Sequence, residues 1–305
     1  VVEAGILQLA KGGGNAIPGP ITFGSGTNVA TGFYSNNNQI ADSAVVTLLN
    51  GSPSSLGSSL MLGNFTDTID GLVIQSSSIG TDTNGLLTIN GDVQSIAPPN
   101  VLGLFVTPSI FGRVQIAGGA RTWSVELSLF GSRLNVDAAV STAAGSSLIR
   151  AGAGLAFFSR SNALSLARLD AGSTFFDVNN GPLPVQLNGG LLSGDGSVGN
   201  VTALAPGGLV APGRLTTVFT VSNLTLNAAT TLNFKVDGNT NDHLTALGPI
   251  NLGNAALAVS VVDVPDFGAA FALLRNESGQ PITGTFAGLP EGALFAANGL
   301  AFQIS

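Results

Sequence analysis

The chain has no cysteine, and it has one residue each of histidine, tryptophan, tyrosine and methionine among 305 residues. Zinc fingers, iron–sulfur centres, disulfide scaffolds and thiol catalysis all require cysteine or clustered histidine. Sugar-binding grooves favour tryptophan and tyrosine, which are almost absent. We therefore expect no metal and no cofactor, and the composition gives little support to catalysis.

Charge is also scarce. Charged residues make up 9% of the sequence, with 10 basic and 17 acidic side chains and a net charge of −7, against about 25% charged residues in an ordinary soluble domain. The acidic balance and the scattered Lys and Arg argue against a nucleic-acid partner. No apolar run reaches the length of a transmembrane helix, so we expect no membrane insertion. A hydrophobic content of 44% is sufficient for a folded core.

The apolar residues alternate with small polar ones in short runs that end at Gly, Asn, Asp, Ser or Pro. This period of two is typical of β-strands, and the 3.6-residue period of helices is missing. Examples of such runs are Gly5–Leu9, Ser59–Gly63, Arg113–Ile116, Ser132–Val136, Val221–Leu226 and Ala256–Val261. The sequence predicts an all-β protein.

A sandwich or barrel and a solenoid both fit an all-β pattern. Asn-Gly pairs such as Asn50-Gly51 and Asn90-Gly91 would suit hairpins of a sandwich. However, short Leu- or Val-containing phrases return at a spacing of about 20 residues, which favours a repeat architecture. We predict a single-stranded, right-handed parallel β-helix of about 13–15 coils, with glycine and asparagine at the corners. It is expected to run as one continuous β-solenoid over 1–305, with a protruding loop near 97–112.

Several phrases resemble the autotransporter-associated β-strand repeat of bacterial surface proteins. They are Val2–Leu9, Ile149–Leu155, Leu191–Val201, Gly207–Gly213 and Gly284–Ala293. The resemblance implies a parallel β-helix located outside the cell or at the cell surface. Members of that family serve as passengers, adhesins and structural surface proteins, so the resemblance implies the fold more strongly than any one function.

Two motifs invite a chemical interpretation. Gly194-Asp195-Gly196-Ser197-Val198-Gly199 has the spacing of a dinucleotide-binding loop, which requires a following helix. The sequence after it, with Pro206-Gly207-Gly208, predicts a solenoid corner instead. His243, the one imidazole, follows Asp242 directly, and neighbours on a strand face opposite ways, so a catalytic triad is not expected.

Acidic residues are the other candidates. The run Asp237–Asp242 offers oxygen ligands at alternating positions, as a calcium loop would, but it lacks a following Glu and favours a solvated turn. Polysaccharide lyases and glycosidases also use β-helices and need paired carboxylates in a groove. The carboxylates closest together in the sequence are Asp67 with Asp70 and Asp263 with Asp266, and neither pair indicates such a site. We expect no catalytic, cofactor-binding or metal-binding residues.

Solenoid ends expose unpaired strand edges, which recruit other strands unless a cap covers them. The sequence begins and finishes in strand-like runs, Val1–Leu9 and Leu300–Ile304, without a cap or a recognisable signal peptide.

The function predicted from the sequence is therefore a non-catalytic extracellular structural protein, whose partners are copies of itself joined end to end or laterally into a fibre or lattice. Both ends could instead be cut points inside a longer solenoid. The alternative function is an adhesin or passenger that binds a surface or glycan, with Val101–Phe111 as the discriminating loop, and a lyase or glycosidase is the remote alternative.

Overall fold

A computed structural model describes residues 1–25, 28–50, 57–98, 107–127, 133–213 and 217–305. Across these ranges the regular structure consists of β-strands, and no helix is found. The same ranges accordingly hold no helical segment with the length and hydropathy needed to cross a membrane. The chain divides into two compact units, 1–165 and 166–305.

The first unit contains fifteen strands among its described residues. They are β1 (Gly5–Leu9), β2 (Ile21–Phe23), β3 (Ala30–Tyr34), β4 (Val45–Leu48), β5 (Ser59–Gly63), β6 (Thr66–Ile69), β7 (Gly71–Ile74), β8 (Ser78–Thr81), β9 (Leu86–Ile89), β10 (Val93–Ser95), β11 (Ser109–Ile116), β12 (Ala120–Val125), β13 (Arg133–Thr142), β14 (Ser147–Ala151) and β15 (Leu155–Phe158).

Thirteen of these strands stack in two parallel ladders, while β6 pairs in parallel with β9, and β9 pairs in parallel with β11. One has the order β1-β3-β5-β8-β11-β13-β15, and the other has the order β2-β4-β7-β10-β12-β14. Within the first ladder Ser59 pairs with Ser78, and Ser78 pairs in turn with Ser109. Paired residues are thus separated by a whole circuit of the chain and not by a tight turn. Each step along a ladder is one coil, which is the defining property of a β-solenoid.

The second unit is built in the same way. Its strands are β16 (Ala167–Leu169), β17 (Ser173–Phe176), β18 (Val185–Leu187), β19 (Leu191–Gly194), β20 (Ser197–Val198), β21 (Val201–Ala203), β22 (Gly208–Pro212), β23 (Val218–Val221), β24 (Leu224–Thr225), β25 (Thr230–Asp237), β26 (Thr240–Asn241), β27 (His243–Ala246), β28 (Ile250–Asn251), β29 (Ala256–Asp263), β30 (Leu274–Asn276), β31 (Leu294–Ala297) and β32 (Leu300–Gln303).

Three parallel ladders run through this unit: β17-β19-β22-β25-β29, β16-β18-β21-β24-β28 and β20-β23-β27-β30. The coils differ in length, because the one from Val185 to its partner Val201 is short and the one from Leu244 to its partner Leu274 is long. Antiparallel pairing joins β25 to β26 and β31 to β32, and these two hairpins interrupt an otherwise parallel arrangement among the described strands.

The alternation seen in the sequence is the alternation of burial in the structure. On β25 the side chains of Leu232, Phe234 and Val236 are buried while their neighbours are half-buried. The same pattern places Trp123 and Phe158 in the core of the first unit, where their rings stack with centroids 6.3 Å apart. Alternate residues of each strand thus form the core, as expected for strands with one buried face.

The predicted all-β parallel solenoid is confirmed, and the sandwich alternative with its antiparallel hairpins is wrong. A single continuous solenoid over 1–305 stays a prediction. The loop predicted near 97–112 falls largely on 99–106, outside the described residues, as does most of Val101–Phe111, and strand β11 already begins at Ser109.

Candidate functional site

The glycine-rich segment 194–199 forms a corner between β19 and β20, as the sequence predicted. Its last residues form β20 and strand β21 follows, where a dinucleotide-binding loop would require a helix. A Cβ atom added to Gly196 would lie 2.0 Å from the carbonyl oxygen of Val178. Glycine is required there because the corner packs directly on the backbone of the preceding coil.

The carboxylate of Asp67 is buried in a network of hydrogen bonds. Its Oδ2 accepts from the Tyr34 hydroxyl at 2.7 Å, from the Gln39 amide at 3.0 Å and from the Ile40 amide at 2.9 Å, and its Oδ1 accepts from the Thr68 amide at 2.7 Å. Burial raises the pKa of Asp67, and these hydrogen bonds oppose the rise. The network ties strand β3 and the turn after it to the next coil.

Asp70, the other carboxylate of this sequence pair, is exposed. The two groups therefore occupy different environments, with Asp67 saturated by protein donors. A general acid and base for glycosidic cleavage must both reach the substrate, and Asp67 in this state cannot.

Asp242 and His243 also occupy different environments, with Asp242 between β26 and β27 and His243 at the start of β27. Asp242 is fully buried, and its Oδ1 accepts from the Lys235 amide at 2.6 Å, while its Oδ2 lies 3.4 Å from the Lys235 ammonium. Burial is the main reason that the pKa of Asp242 rises to about 6. His243 is half-exposed, and burial and then the Arg275 charge lower the pKa of its imidazole. Sequence spacing did not predict the Lys235 partner, which the β25–β26 hairpin brings to Asp242.

We expect the free energy of unfolding to depend on Asp242 below neutral pH. Folding raises the pKa of this carboxyl, so the folded protein binds the proton more tightly and acidification stabilises it. The gain begins as the pH falls through the raised pKa of the folded state and is complete below the ordinary Asp pKa. Between pH 7 and pH 5 it amounts to about 1 kcal/mol.

The measurement is urea denaturation of the wild type and of Asp242→Asn at both pH values. The wild type should gain about 1 kcal/mol relative to the variant on going to pH 5. Parallel pH profiles for the two proteins would show that Asp242 is not the titrating group.

The run 237–242 forms the β25–β26 hairpin turn. The Thr240 hydroxyl donates to the Asp237 carbonyl at 2.8 Å, and the Asn239 amide side chain donates to Asp266 Oδ2 at 2.6 Å. Two of the side-chain oxygens that the run offers also accept protein donors, because Asn239 Oδ1 accepts from the Asp266 amide and Asp242 Oδ1 from the Lys235 amide. Within the described ranges, no three His, Cys, Asp or Glu side chains lie close enough together to hold a metal.

The most distinctive surface of the second unit is the outer strand β29. Its residues Leu257, Val259 and Val261 pair in register with the buried Leu232, Phe234 and Val236 of β25. The three β29 side chains are only half-buried, so the core column of the solenoid reaches the surface here. Nearby apolar side chains are largely exposed: Val262 by 63%, Val264 by 73%, Leu294 by 74% and Phe267 completely.

We call the residues 257, 259, 261, 262, 264, 267 and 294 the β29 surface. Soluble monomers rarely expose large apolar patches, so this concentration of exposed and half-buried apolar side chains makes the region a candidate for binding another molecule. The charged groups nearest in sequence, Asp263 and Asp266, are exposed, and Asp266 is already bonded to Asn239.

The first unit has a comparable outer strand in β1. It pairs through Gly5–Leu9 with β3 and stands last in its ladder. Ile6 on this strand is 75% exposed, and Leu7 is half-buried. An outer strand presents unpaired N–H and C=O groups that can template pairing with another strand.

No protein-family model, curated protein or solved structure matches the chain. The resemblance to autotransporter-associated repeats therefore remains a prediction from the phrases quoted above, and the function must be argued from the geometry.

Proposed function

We propose that this chain is a non-catalytic structural protein that assembles with copies of itself through the outer strands of its solenoid coils. The observation that supports this function most directly is the half-buried column of Leu257, Val259 and Val261, which continues the buried column of β25. A further parallel strand placed on β29 would bury that column and pair the outer edge of the strand. It would displace the bond that the Val261 amide donates to Asn298 Oδ1, in the turn between β31 and β32, at 3.4 Å.

The occupant that fits is β1 of a second copy. Strand β1 is an outer strand of parallel type, and its Leu7 and Leu9 lie on the face that packs inward, so they can extend an aliphatic column. Contact between two different surfaces of identical chains is heterologous, and repeated contacts of this type extend without closing. The expected product is a fibre or a lattice.

The low charge of the protein also supports assembly. Mixed surface charge keeps proteins soluble and monomeric, and this chain has little of it. The proposed location, outside the cell or at a bacterial surface, rests on the family resemblance alone.

A lysine on the β29 surface should block assembly. In Val259→Lys the contact between copies would bury an unpaired ammonium group, which is costly, while in the separate chain the long side chain can extend to water. We expect the concentration at which half of the protein pellets to rise at least tenfold, with unchanged circular dichroism and melting temperature.

The matched control is Leu127→Lys, which adds the same charge at another exposed leucine, 65% exposed and outside the β29 surface. It should pellet like the wild type. Equal loss of assembly in both variants would show that total charge is decisive, and a wild type that never pellets would overturn the proposed function.

A further inference from the structure

Arg150 is a charged residue at an inward position of the solenoid. Strand β14 alternates between half-buried and buried residues, and Arg150 takes a buried position that an aliphatic residue would normally fill. Its register partner on the neighbouring coil is Trp123, which is also fully buried. The two side chains therefore occupy adjacent levels of the same core column.

The two terminal nitrogens of the guanidinium are bonded to backbone carbonyls. Nη1 donates to the carbonyls of Trp123, at 2.8 Å, and of Ala151, and Nη2 donates to the carbonyl of Gly154 at 2.8 Å. These bonds hold the corner after β14 against the previous coil. They hold the guanidinium plane in place and use three of its five N–H donors, and Nε is the nitrogen left without any acceptor.

Two buried donors in this column have no acceptor among the described residues: Arg150 Nε and Trp123 Nε1. Neither group can accept a hydrogen bond, so they cannot satisfy each other. A buried donor without a partner costs free energy comparable to a lost hydrogen bond. Both donors therefore require an acceptor other than the described residues.

The charge identifies the kind of acceptor. Burial alone lowers the pKa of Arg150, to about 10, so the guanidinium stays protonated at neutral pH. In the described part of the chain no carboxylate forms an ion pair with it. A buried charge without a counter-charge is among the most costly features a core can contain.

We propose that Arg150 and Trp123 form a buried binding site for one small monovalent anion of the halide class. The anion would accept from Arg150 Nε and Trp123 Nε1 and neutralise the guanidinium. Its role would be structural, linking two coils of the first unit in the way that a buried ion pair does. This site is independent of the proposed assembly through β29.

Trp123 is the only tryptophan of the chain and reports directly on the site. Iodide quenches indole emission on contact, and the full burial of Trp123 keeps it from solvent iodide. At constant ionic strength, made up with sodium gluconate, we expect iodide to quench the emission along a saturable curve. Chloride should compete and restore the emission. Arg121→Met, which removes an arginine of strand β12 that also donates to nearby carbonyls, is the control and should retain this behaviour.

Arg150→Met should abolish saturable quenching. Because loss of quenching in this variant could also follow from a failure to fold, two further measurements use the wild type alone. Replacing gluconate by chloride should raise the melting temperature by about 2–4 °C, and a bromide-soaked crystal should show an anomalous peak within hydrogen-bond distance of both nitrogens. Quenching that is linear or absent, together with equal melting temperatures in the two salts, would overturn the proposal and assign the acceptor to water.

Discussion

Gly194→Ala should lower the free energy of unfolding by about 4 kcal/mol. Gly194 has φ +137°, a backbone conformation that a residue with a Cβ adopts only with strain. The added methyl group would also lie 2.2 Å from the carbonyl oxygen of Phe176 on the preceding coil, and a backbone atom cannot move away cheaply. Conformational strain and overpacking each cost about 1–3 kcal/mol, and both act here. Urea denaturation followed by far-ultraviolet circular dichroism measures the loss.

Gly181→Ala separates the two causes. Gly181 also has positive φ, at +56°, but its Cβ would meet no atom within 4 Å. We expect a loss of about 1 kcal/mol from conformation alone. Equal losses for the two variants would contradict the close approach of the coils at Gly194.

Asp67→Ala should cost about 3–5 kcal/mol of unfolding free energy. The substitution removes the acceptor for the Tyr34 hydroxyl and for the amides of Gln39, Ile40 and Thr68. Each buried donor left without an acceptor costs about 1–3 kcal/mol, and partial access of water reduces the sum. Urea denaturation followed by the emission of Trp123, which lies in the same unit, gives the value.

Asp70→Ala is the matched control, because Asp70 is close to Asp67 in sequence and is exposed. Its free energy of unfolding should stay within about 0.5 kcal/mol of the wild type. Adding Tyr34→Phe to Asp67→Ala should recover part of the loss, since one unsatisfied donor is then removed. A loss at Asp67 no larger than at Asp70 would show that the network does not stabilise the unit.

Alternation of apolar and polar residues predicted the strands, because each strand buries one face, and phrases that return about every 20 residues favoured the solenoid over the sandwich. The predicted run Ser59–Gly63 is strand β5 with the same limits, and the predicted run Ala256–Val261 is strand β29, which extends to Asp263. Coil length was harder to predict. The coil from Ser78 to Ser109 is far longer than the coil from Val185 to Val201, because loops between strands can lengthen without disturbing the ladder.

The polar groups in the core could not be assigned from one sequence. Arg150 follows Leu148 at the spacing of an inward face, yet a charged residue in an alternating strand is ordinarily assigned to the surface. The partners of Asp67 other than Thr68 lie on a preceding coil, far away in sequence. Their meeting depends on the register between coils, which alternation does not determine. The signal that could have identified Arg150 as an inward residue is its position on β14, two residues after the buried Leu148.

The β29 surface was likewise visible in the sequence only as another strand. Ala256–Val261 alternates as other strands do, and nothing in its composition distinguishes an outer strand from an inner one. The difference arises from the ladder, in which β29 pairs with β25 on one side and leaves its aliphatic column half-buried.

Fibre diffraction from concentrated, aligned protein tests the proposed end-to-end assembly most directly. Pairing β1 of one copy with β29 of the next continues the strand spacing of both ladders across the contact, so a reflection at about 4.8 Å should appear, and electron microscopy of the same sample should show filaments. Protein that stays monomeric at every concentration, or filaments that Val259→Lys forms as readily as the wild type, would contradict assembly through the outer strands.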